Sequence, residues 1–372
     1  MIIDDTQPCS LGARWIHTML GVTAENHWVN ISEGKVDSLS SKPAHPVFRH
    51  FGEHSVIMPA GVNAHAHLEL SQLDAPFDVP TRSMTDWVGA LMSFRQSTRY
   101  DAKYAILSAL QRKDLAESTA AVADIVPMKL EGLTPTRSQC TKHIPFVELI
   151  AWRKETAEKL NYAPGAFGLS PHAPHTVCPE LLERAVAQHV PIAMHLAETK
   201  EELQLLKHHK GPLLEMMRRA APDYDPKNVL LGKRPMDYLK RLADAPKAFI
   251  IHGNYLDDEE LRFIASRRET MSVVYCPRSH DYFRHPSYPL KKMLDLGVRV
   301  LLGTDSLASV PNLSFMDEIR CAVERHRSVS PEIIYRLGTF EGASALDLLY
   351  EGLGVIKPGG AARLCCMTFT AP

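Results

Sequence analysis

Eight short apolar runs recur along the chain, and segments with the apolar spacing of helices separate most of them. The runs cover residues 56–62, 120–127, 144–151, 166–170, 191–196, 248–252, 271–275 and 298–303, and the helical segments cover 100–116, 179–188, 199–219, 257–266 and 289–296. Such alternation is typical of parallel strands joined by crossover helices. Eight units over residues 56–306 match the size of a (β/α)8 TIM-like barrel, about 250 residues. An open doubly wound sheet is the alternative, but no Gly-x-Gly-x-x-Gly motif follows the first run.

The two chain ends have a different pattern. Residues 28–31 and 34–37 resemble two short strands joined by a Glu-Gly turn, and residues 364–369 are a further strand candidate. We therefore expect residues 1–55 and 346–372 to pair into one small β domain, flanking a barrel formed by residues 56–345.

The composition narrows the class of protein. A formal net charge of −1 gives no reason to expect nucleic acid or an anionic membrane as a partner. No apolar run reaches 18 residues, and the first residues lack the basic and apolar segments of a secretory signal. The seven cysteines are scattered without a Cys-x-x-Cys pair, which favours reduced thiols and a cytoplasmic location.

Polar side chains stand where five of the apolar runs stop. In a parallel barrel, the carboxyl ends of the strands meet at one rim, which carries the active site. Two of the histidines are spaced i, i+2, so on a strand they point to the same side. We therefore expect a cluster at this rim, with the following members: His65 and His67, His172, His195, His252 and Asp305.

These residue types are suited to metal-dependent hydrolysis. The imidazoles of His65, His67 and His195 can hold one divalent cation, and the carboxylate of Asp305 adds a ligand while leaving a position open for water. The cation would lower the pKa of that water toward 7 and supply hydroxide. Glu198, three residues after His195, is placed to carry a proton to a ring nitrogen or to the leaving group.

Five motifs of the sequence resemble the amidohydrolase superfamily, in its deaminase and chlorohydrolase-like branch. The resemblance implies a metal-dependent (β/α)8 barrel flanked by a β-sandwich made from both chain ends. It also implies that His252, together with Asp305, orients the catalytic water. The motifs are Pro-Ala-Gly-Val-Asn-Ala-His-Ala-His at 59–67, His-Leu-Ala-Glu at 195–198, Ile-His-Gly at 251–253, Cys-Pro-Arg-Ser at 276–279 and Gly-Thr-Asp-Ser at 303–306.

The resemblance also bears on the metal. Members of the superfamily with two metals usually carry a bridging lysine after the fourth strand, and residues 169–175 contain none. A single cation is therefore expected. Zn²⁺ suits three imidazoles and a carboxylate, while Fe²⁺ is the alternative.

Residues 67–71 and 276–309 are similar to the aminodeoxyfutalosine deaminases of the alternative menaquinone route. This resemblance implies hydrolytic deamination of an aminated purine nucleoside, in which hydroxide attacks C6, Glu198 protonates N1 and ammonia leaves. His172 lies in a segment that resembles the nucleoside contact of such deaminases, with a capping or rim histidine as the alternative. Glu69 is a candidate for binding a ribose hydroxyl or a base edge, and the alternative is an ion pair with a rim arginine.

A substrate carboxylate would call for an arginine, whose planar fork matches that group. Among Arg82, Arg95 and Arg278 we favour Arg278, because it directly follows the seventh strand.

Other activities on the same site remain open from sequence. They are a chlorohydrolase, a guanine or cytosine deaminase, and an adenosylhomocysteine or methylthioadenosine deaminase, because specificity resides in the loops. A non-catalytic binding protein on the same barrel is the remaining alternative, although every ligand is present. The expected partner is a small-molecule substrate, and the resemblance allows a homodimer.

Overall fold

The structure is a computed structural model that describes residues 7–21, 23–128, 141–160 and 167–368. Its strands form two sheets, one small and one large. In chain order the strands are β1 (Cys9–His17), β2 (Thr23–Ser32), β3 (Lys35–Ser40), β4 (Val47–His50), β5 (Ser55–Pro59), β6 (Gly61–Ala66), β7 (Thr119–Pro127), β8 (Lys142–Leu149), β9 (Gly168–Pro171), β10 (Ile192–Leu196), β11 (Ala248–His252), β12 (Met271–Tyr275), β13 (Val300–Leu302) and β14 (Leu364–Thr368).

The small sheet joins the two chain ends. Its order is β14-β5-β1-β2-β3, with β4 also paired to β1. The β2–β3 hairpin and the pairing of β14 with β5 are antiparallel, whereas β4 and β5 run parallel to β1. The predicted flanking β domain built from both chain ends is therefore confirmed.

The first predicted barrel strand, 56–62, proves to be two strands. Strand β5 belongs to the small sheet, where it pairs with β14, and only β6 enters the barrel. Both strands are buried along their whole length, so hydrophobicity alone does not mark the change of sheet at Ala60. The barrel therefore begins at Gly61 rather than at residue 56, and the remaining predicted domain limits stay a prediction.

The large sheet is the predicted barrel. It contains eight parallel strands in sequential order from β6 to β13. Backbone bonds between β6 and the end of β13 join the first strand to the last: the His65 carbonyl accepts from the N–H groups of Thr304 and Asp305, and the His67 N–H donates to the Asp305 carbonyl at 3.1 Å. The Asn63 side chain donates from Nδ2 to Thr304 Oγ1 at 2.8 Å and accepts at Oδ1 from the Thr304 N–H. We call this set of contacts the barrel seam.

Helices surround the barrel, and two of the predicted helical segments are interrupted. Residues 100–116 form two helices. Residues 199–219 also form two helices, which are separated near Gly211, where φ is +111° and Pro212 follows. No described helix has the length and hydropathy needed to cross a membrane. The helices are α1 (Met84–Arg95), α2 (Ala102–Ala109), α3 (Lys113–Ala116), α4 (Lys154–Lys159), α5 (Pro179–Val186), α6 (Lys200–His208), α7 (Pro212–Ala220), α8 (Pro226–Val229), α9 (Pro235–Leu242), α10 (Asp258–Ala265), α11 (Pro277–Tyr282), α12 (Leu290–Asp295), α13 (Phe315–Arg325), α14 (Pro331–Arg336) and α15 (Gly342–Ala345), with shorter helical turns at Leu68–Leu70, Leu337–Glu341 and Leu349–Glu351.

Candidate metal centre at the barrel mouth

Three of the predicted ligands meet at the carboxyl ends of the strands. His65 lies on β6, His67 directly follows it, and His195 lies on β10. One ligand nitrogen from each ring lies within 4.8 Å of the other two. The Nε2 atoms of His67 and His195 are 3.3 Å apart. Nitrogen atoms this close around one point are the arrangement that a single cation requires.

The protonation state of these rings suits a cation. Burial lowers the pKa of His65 and His67 well below the usual value and that of His195 to about 4, so the rings are neutral at pH 7. The Nδ1 of His195 is 3.0 Å from the His172 carbonyl, so Nδ1 carries the proton and donates it to this carbonyl. Nε2 therefore has a free lone pair that can bind a metal. Both ring nitrogens of His65 are buried without a hydrogen-bond partner in the described part of the chain. A divalent cation would satisfy one of these two nitrogens, so the donor set fits a metal.

Asp305 completes the cluster. Its Oδ1 is 3.8 Å from Nε2 of His65. Its Oδ2 accepts hydrogen bonds from Ser279 Oγ at 2.6 Å and from Ser309 Oγ at 2.9 Å, which orient the carboxylate. Burial raises the pKa of Asp305 to about 6 despite these bonds. A nearby cation would favour the ionised carboxylate.

Glu198 and His252 lie face to face beside the cluster. Oε1 of Glu198 is 3.3 Å from Nε2 of His252, and the rings of His252 and His195 are 5.5 Å apart. Burial raises the pKa of Glu198 well above its usual value, and the charges of Asp305 and Glu202 add to the rise. A carboxyl with a raised pKa binds its proton more readily and is suited to donate and recover it during a reaction.

Backbone conformation also marks this rim. His252 and Asp305 have φ of +67° and +66°, and Ala197, next to Glu198, has φ of +55°. Residues with side chains rarely adopt this region, which costs free energy and is concentrated at functional sites. The strand ends are therefore shaped for placing side chains rather than for stability alone.

Glu202 supports the loop that carries Glu198, and the sequence analysis missed it. Its Oε1 accepts from the Ala197 N–H at 2.8 Å and its Oε2 from the Glu198 N–H at 3.1 Å. Glu202 lies three residues after Thr199, whose hydroxyl caps α6 by accepting from the Glu202 N–H. The Thr-x-x-Glu spacing of a capping box was the available signal.

Glu69 is held by protein groups. It is buried, forms an ion pair with Arg95 through Oε1 and accepts a hydrogen bond from the Tyr100 hydroxyl through Oε2. The ion pair is the alternative considered for Glu69. A direct role for Glu69 in substrate binding stays a prediction.

Arg278 is also engaged with the protein. Its Nε donates to Glu318 at 2.6 Å, Nη1 to the Asn312 side chain at 2.7 Å, and Nη2 to the carbonyls of Asn312 and Ser314. These contacts engage all three guanidinium nitrogens with protein groups, and a role for Arg278 in binding a substrate carboxylate stays a prediction. Arg82 is likewise turned to Tyr282, whose carbonyl accepts from Nη1 and whose ring lies beneath the guanidinium.

His172 lies beside the cluster, at the end of β9. Its ring is 5.1 Å from that of His195, and its Nδ1 is 2.8 Å from Thr176 Oγ1. This places it at the rim next to the candidate metal position, and a substrate contact stays a prediction.

Glu148 is a second residue that the sequence analysis missed. It lies near the carboxyl end of β8, and burial raises the pKa of its carboxyl to about 7. The signal was the same as for the histidines, because Glu148 is the charged residue within the otherwise apolar run 144–151.

The sequence is similar to those of known deaminases. The chain resembles the 5-methylthioadenosine/S-adenosylhomocysteine deaminase of Pyrococcus furiosus, at 33% identity over 59% of this chain and 49% of that protein. The chain thus spans about half the length of that relative. An adenosine deaminase of Helicobacter pylori is 26% identical over 88% of this chain and 82% of its own length.

Solved structures share the fold. Helicobacter pylori aminofutalosine deaminase in complex with methylthio-coformycin superposes with a TM-score of 0.78 at 23% identity, covering 97% of this chain and 92% of that one. A zinc-bound adenosine deaminase from Xanthomonas campestris superposes with a TM-score of 0.68 at 20% identity, covering 98% and 85%. The profile of the amidohydrolase family matches residues 56–369, which include every residue of the cluster. The chain belongs to the amidohydrolase family.

Proposed function

We propose that the protein is a metal-dependent hydrolase that deaminates an aminated purine nucleoside and releases ammonia. The observation that carries this proposal is the Glu198–His252 pair, 3.3 Å apart, beside the cluster of His65, His67 and His195. Hydrolytic deamination needs a nucleophilic water and a group that moves its proton to the ring and to the leaving amine. The mouth of this barrel offers both in one place.

The residues divide the work as follows. Attack of water at C6 of the purine forms a C–O bond, and the C–N bond to the amino group then breaks. Glu198 takes a proton from the attacking water and delivers it to N1. It then moves the proton of the new C6 hydroxyl to the amino group, which leaves as ammonia. His252 and Asp305 orient the water. A divalent cation, when bound, supplies Lewis-acid chemistry that makes water nucleophilic near neutral pH.

We assign the cation to His65, His67, His195 and Asp305, with Zn²⁺ as its identity. Three imidazoles and one carboxylate are a ligand set that zinc accepts in catalytic sites. Zinc is also the metal bound in the Xanthomonas campestris adenosine deaminase, which has the same fold. Fe²⁺ binds similar ligands, so metal analysis of the purified protein decides between the two.

The substrate class follows the relatives. They are named as deaminases of aminofutalosine, of methylthioadenosine and adenosylhomocysteine, and of adenosine. These compounds share a 6-aminopurine joined to a sugar, and they differ in the group at the 5′ position. We propose an aminofutalosine-like nucleoside as the substrate.

The test is ammonia release by the metal-replete protein with aminodeoxyfutalosine, methylthioadenosine, adenosylhomocysteine, adenosine, guanine and cytosine. Rapid release from a purine nucleoside, absent in His65→Ala, supports the proposal. Release from guanine or cytosine alone would overturn the nucleoside assignment. No release from the panel by the zinc-loaded protein, with chloride released from a chlorotriazine, would instead establish a chlorohydrolase.

A further inference from the structure

The barrel mouth contains polar groups that the deamination chemistry does not use. Arg95 reaches the mouth from α1, where its guanidinium pairs with Glu69, two residues after His67. Its Nη2 is committed to Glu69, but its Nε is buried and has no hydrogen-bond partner in the described ranges. A buried donor without an acceptor is uncommon in folded proteins and calls for a ligand or an ordered water.

Glu148 points into the barrel from β8. Two residues before it on β8, Phe146 packs against Phe249 of β11 with ring centroids 5.6 Å apart. Strands β8 and β11 are separated in the sheet by two others, so Phe146 points into the barrel. Side chains two apart on a strand share a face, so Glu148 also points inward, one step nearer the mouth.

Ser170 is the neighbour of Glu148 on the next strand. The two residues are paired in register between β8 and β9. A Cβ on Gly168 would meet the ring of Phe146, so this face of β9 also points into the barrel. The hydroxyl of Ser170 is buried and, within the described residues, has no hydrogen-bond partner.

The charges of Arg95 and Glu148 interact without direct contact. The positive charge of Arg95 opposes the rise in the pKa of Glu148 that burial causes. Arg95 is paired with Glu69, and among the described residues no ion pair or hydrogen bond joins it to Glu148. A donor and an acceptor therefore lie at the same barrel mouth, because Arg95 is paired with Glu69, two residues after His67, and Glu148 points inward near the end of β8.

We propose that Arg95, Glu148 and Ser170 form a subsite that binds a hydroxyl group of the substrate. A hydroxyl is the simplest group that accepts from the Arg95 Nε–H and donates to the Glu148 carboxylate at the same time. This inference rests on the proposed function, because a nucleoside brings its sugar hydroxyls next to the purine. Glu148 is thus a specificity-determining residue, and Glu69 holds Arg95 in place for it.

The test measures binding rather than turnover. Glu198→Gln protein loaded with zinc is titrated by calorimetry with adenosine and with 2′-deoxyadenosine, 3′-deoxyadenosine and 5′-deoxyadenosine. The same titrations are run with Glu148→Ala added. A hydrogen bond to a charged group predicts that loss of one hydroxyl weakens binding by about 10-fold or more in the parent. In the Glu148→Ala protein, the same loss should weaken binding clearly less than in the parent, because only the contacts with Arg95 and Ser170 are then lost.

Glu155→Ala is the matched control, because it removes an exposed carboxylate from the nearby helix α4. It should leave the hydroxyl dependence unchanged. Equal losses in the parent and the Glu148→Ala protein would overturn the subsite while leaving the proposed function intact, and would mean that only water occupies the space. Failure of the zinc-loaded parent to bind any of the four nucleosides would overturn the proposed function and the subsite together.

Discussion

Individual residues at the barrel mouth are driven toward their neutral forms by burial. The pKa values of the histidines are lowered and those of Asp305 and Glu198 are raised, for the same physical reason. Neutral imidazoles can bind a metal, and a protonated carboxyl can donate a proton. Burial at the barrel mouth therefore favours the protonation states that both roles require.

Glu198→Gln should separate these roles. Glutamine keeps the size of the side chain but carries no transferable acidic proton, so we expect kcat to fall by about 10²–10⁴-fold. Zinc content, measured by atomic absorption, should stay that of the parent because Glu198 is not among the assigned ligands. Turnover within a few-fold of the parent would remove Glu198 from its role as the proton carrier.

Arg278 allows a test of stability rather than of binding. Its partner Glu318 is fully buried, and burial raises the pKa of that carboxyl to about 7. Arg278→Met should lower the free energy of unfolding by about 3 kcal/mol, because it leaves a buried carboxyl unpaired. The loss should be greater at about pH 8 than at about pH 5. At pH 8 the folded variant must either carry an unpaired charge on Glu318 or keep this carboxyl protonated, whereas at pH 5 the carboxyl is already protonated in the parent.

Urea denaturation measures this loss. Arg320→Met, which removes an exposed ion pair with Asp317, is the control and should cost less than about 1 kcal/mol. Equal losses in the two variants would contradict a structural role for the Arg278–Glu318 pair.

Single elements, above all the turn between β10 and α6, place the side chains of the candidate site. In this turn Ala197 adopts φ of +55°, and Glu202 at the start of α6 holds the N–H groups of Ala197 and Glu198. The carboxylate of Glu202 thus fixes the direction of Glu198 without touching the candidate metal position.

Removal of this support should reduce catalysis while the cation stays bound. We expect Glu202→Ala to lower kcat by about 10- to 100-fold, with a smaller change in KM and a shifted pH profile. Glu201→Ala, at the adjacent position on α6, should leave both constants near those of the parent. An unchanged pH profile together with reduced thermal stability would show that Glu202 serves folding alone.

The sequence predicted this site well where position along a strand decides the outcome. His65, His67, His195, His252 and Asp305 end apolar runs, and parallel strands bring such ends together. Side-chain direction was less accessible. The partner of Arg278 lies 40 residues later on a helix, so its commitment to Glu318 requires the folded structure. Likewise, burial on both sides of Ala60 concealed the change of sheet.

On the scale of the whole molecule, the candidate metal centre combines residues from the first and the last strands of the barrel at one rim. His65 belongs to the first strand, His195 to the fifth, and Asp305 follows the eighth. The shared burial of these residues sets one pH range for metal retention, because protons compete with the metal for its ligands.

We expect zinc content to be the same at about pH 8 and pH 6.5, and to fall between about pH 6 and pH 4. In the metal-free centre Asp305 has a pKa of about 6 and His195 a pKa of about 4, and a bound cation lowers both, so protons compete with it only below about pH 6. Equilibrium dialysis with metal analysis measures the release. Loss that begins above pH 6.5 would indicate histidines with ordinary pKa values, and hence a more exposed centre.

The barrel seam has a consequence for how the protein is made. The Asn63–Thr304 contact joins residues 241 positions apart, and it adjoins the strand ends that carry His65 and Asp305. Closing so long a loop is entropically costly and slow, and it requires nearly the whole barrel to have been synthesised. A growing chain on the ribosome would therefore carry its first histidines early but bring them together with Asp305 only after the last barrel strand has been made, so that capture of the ion reports closure of the barrel.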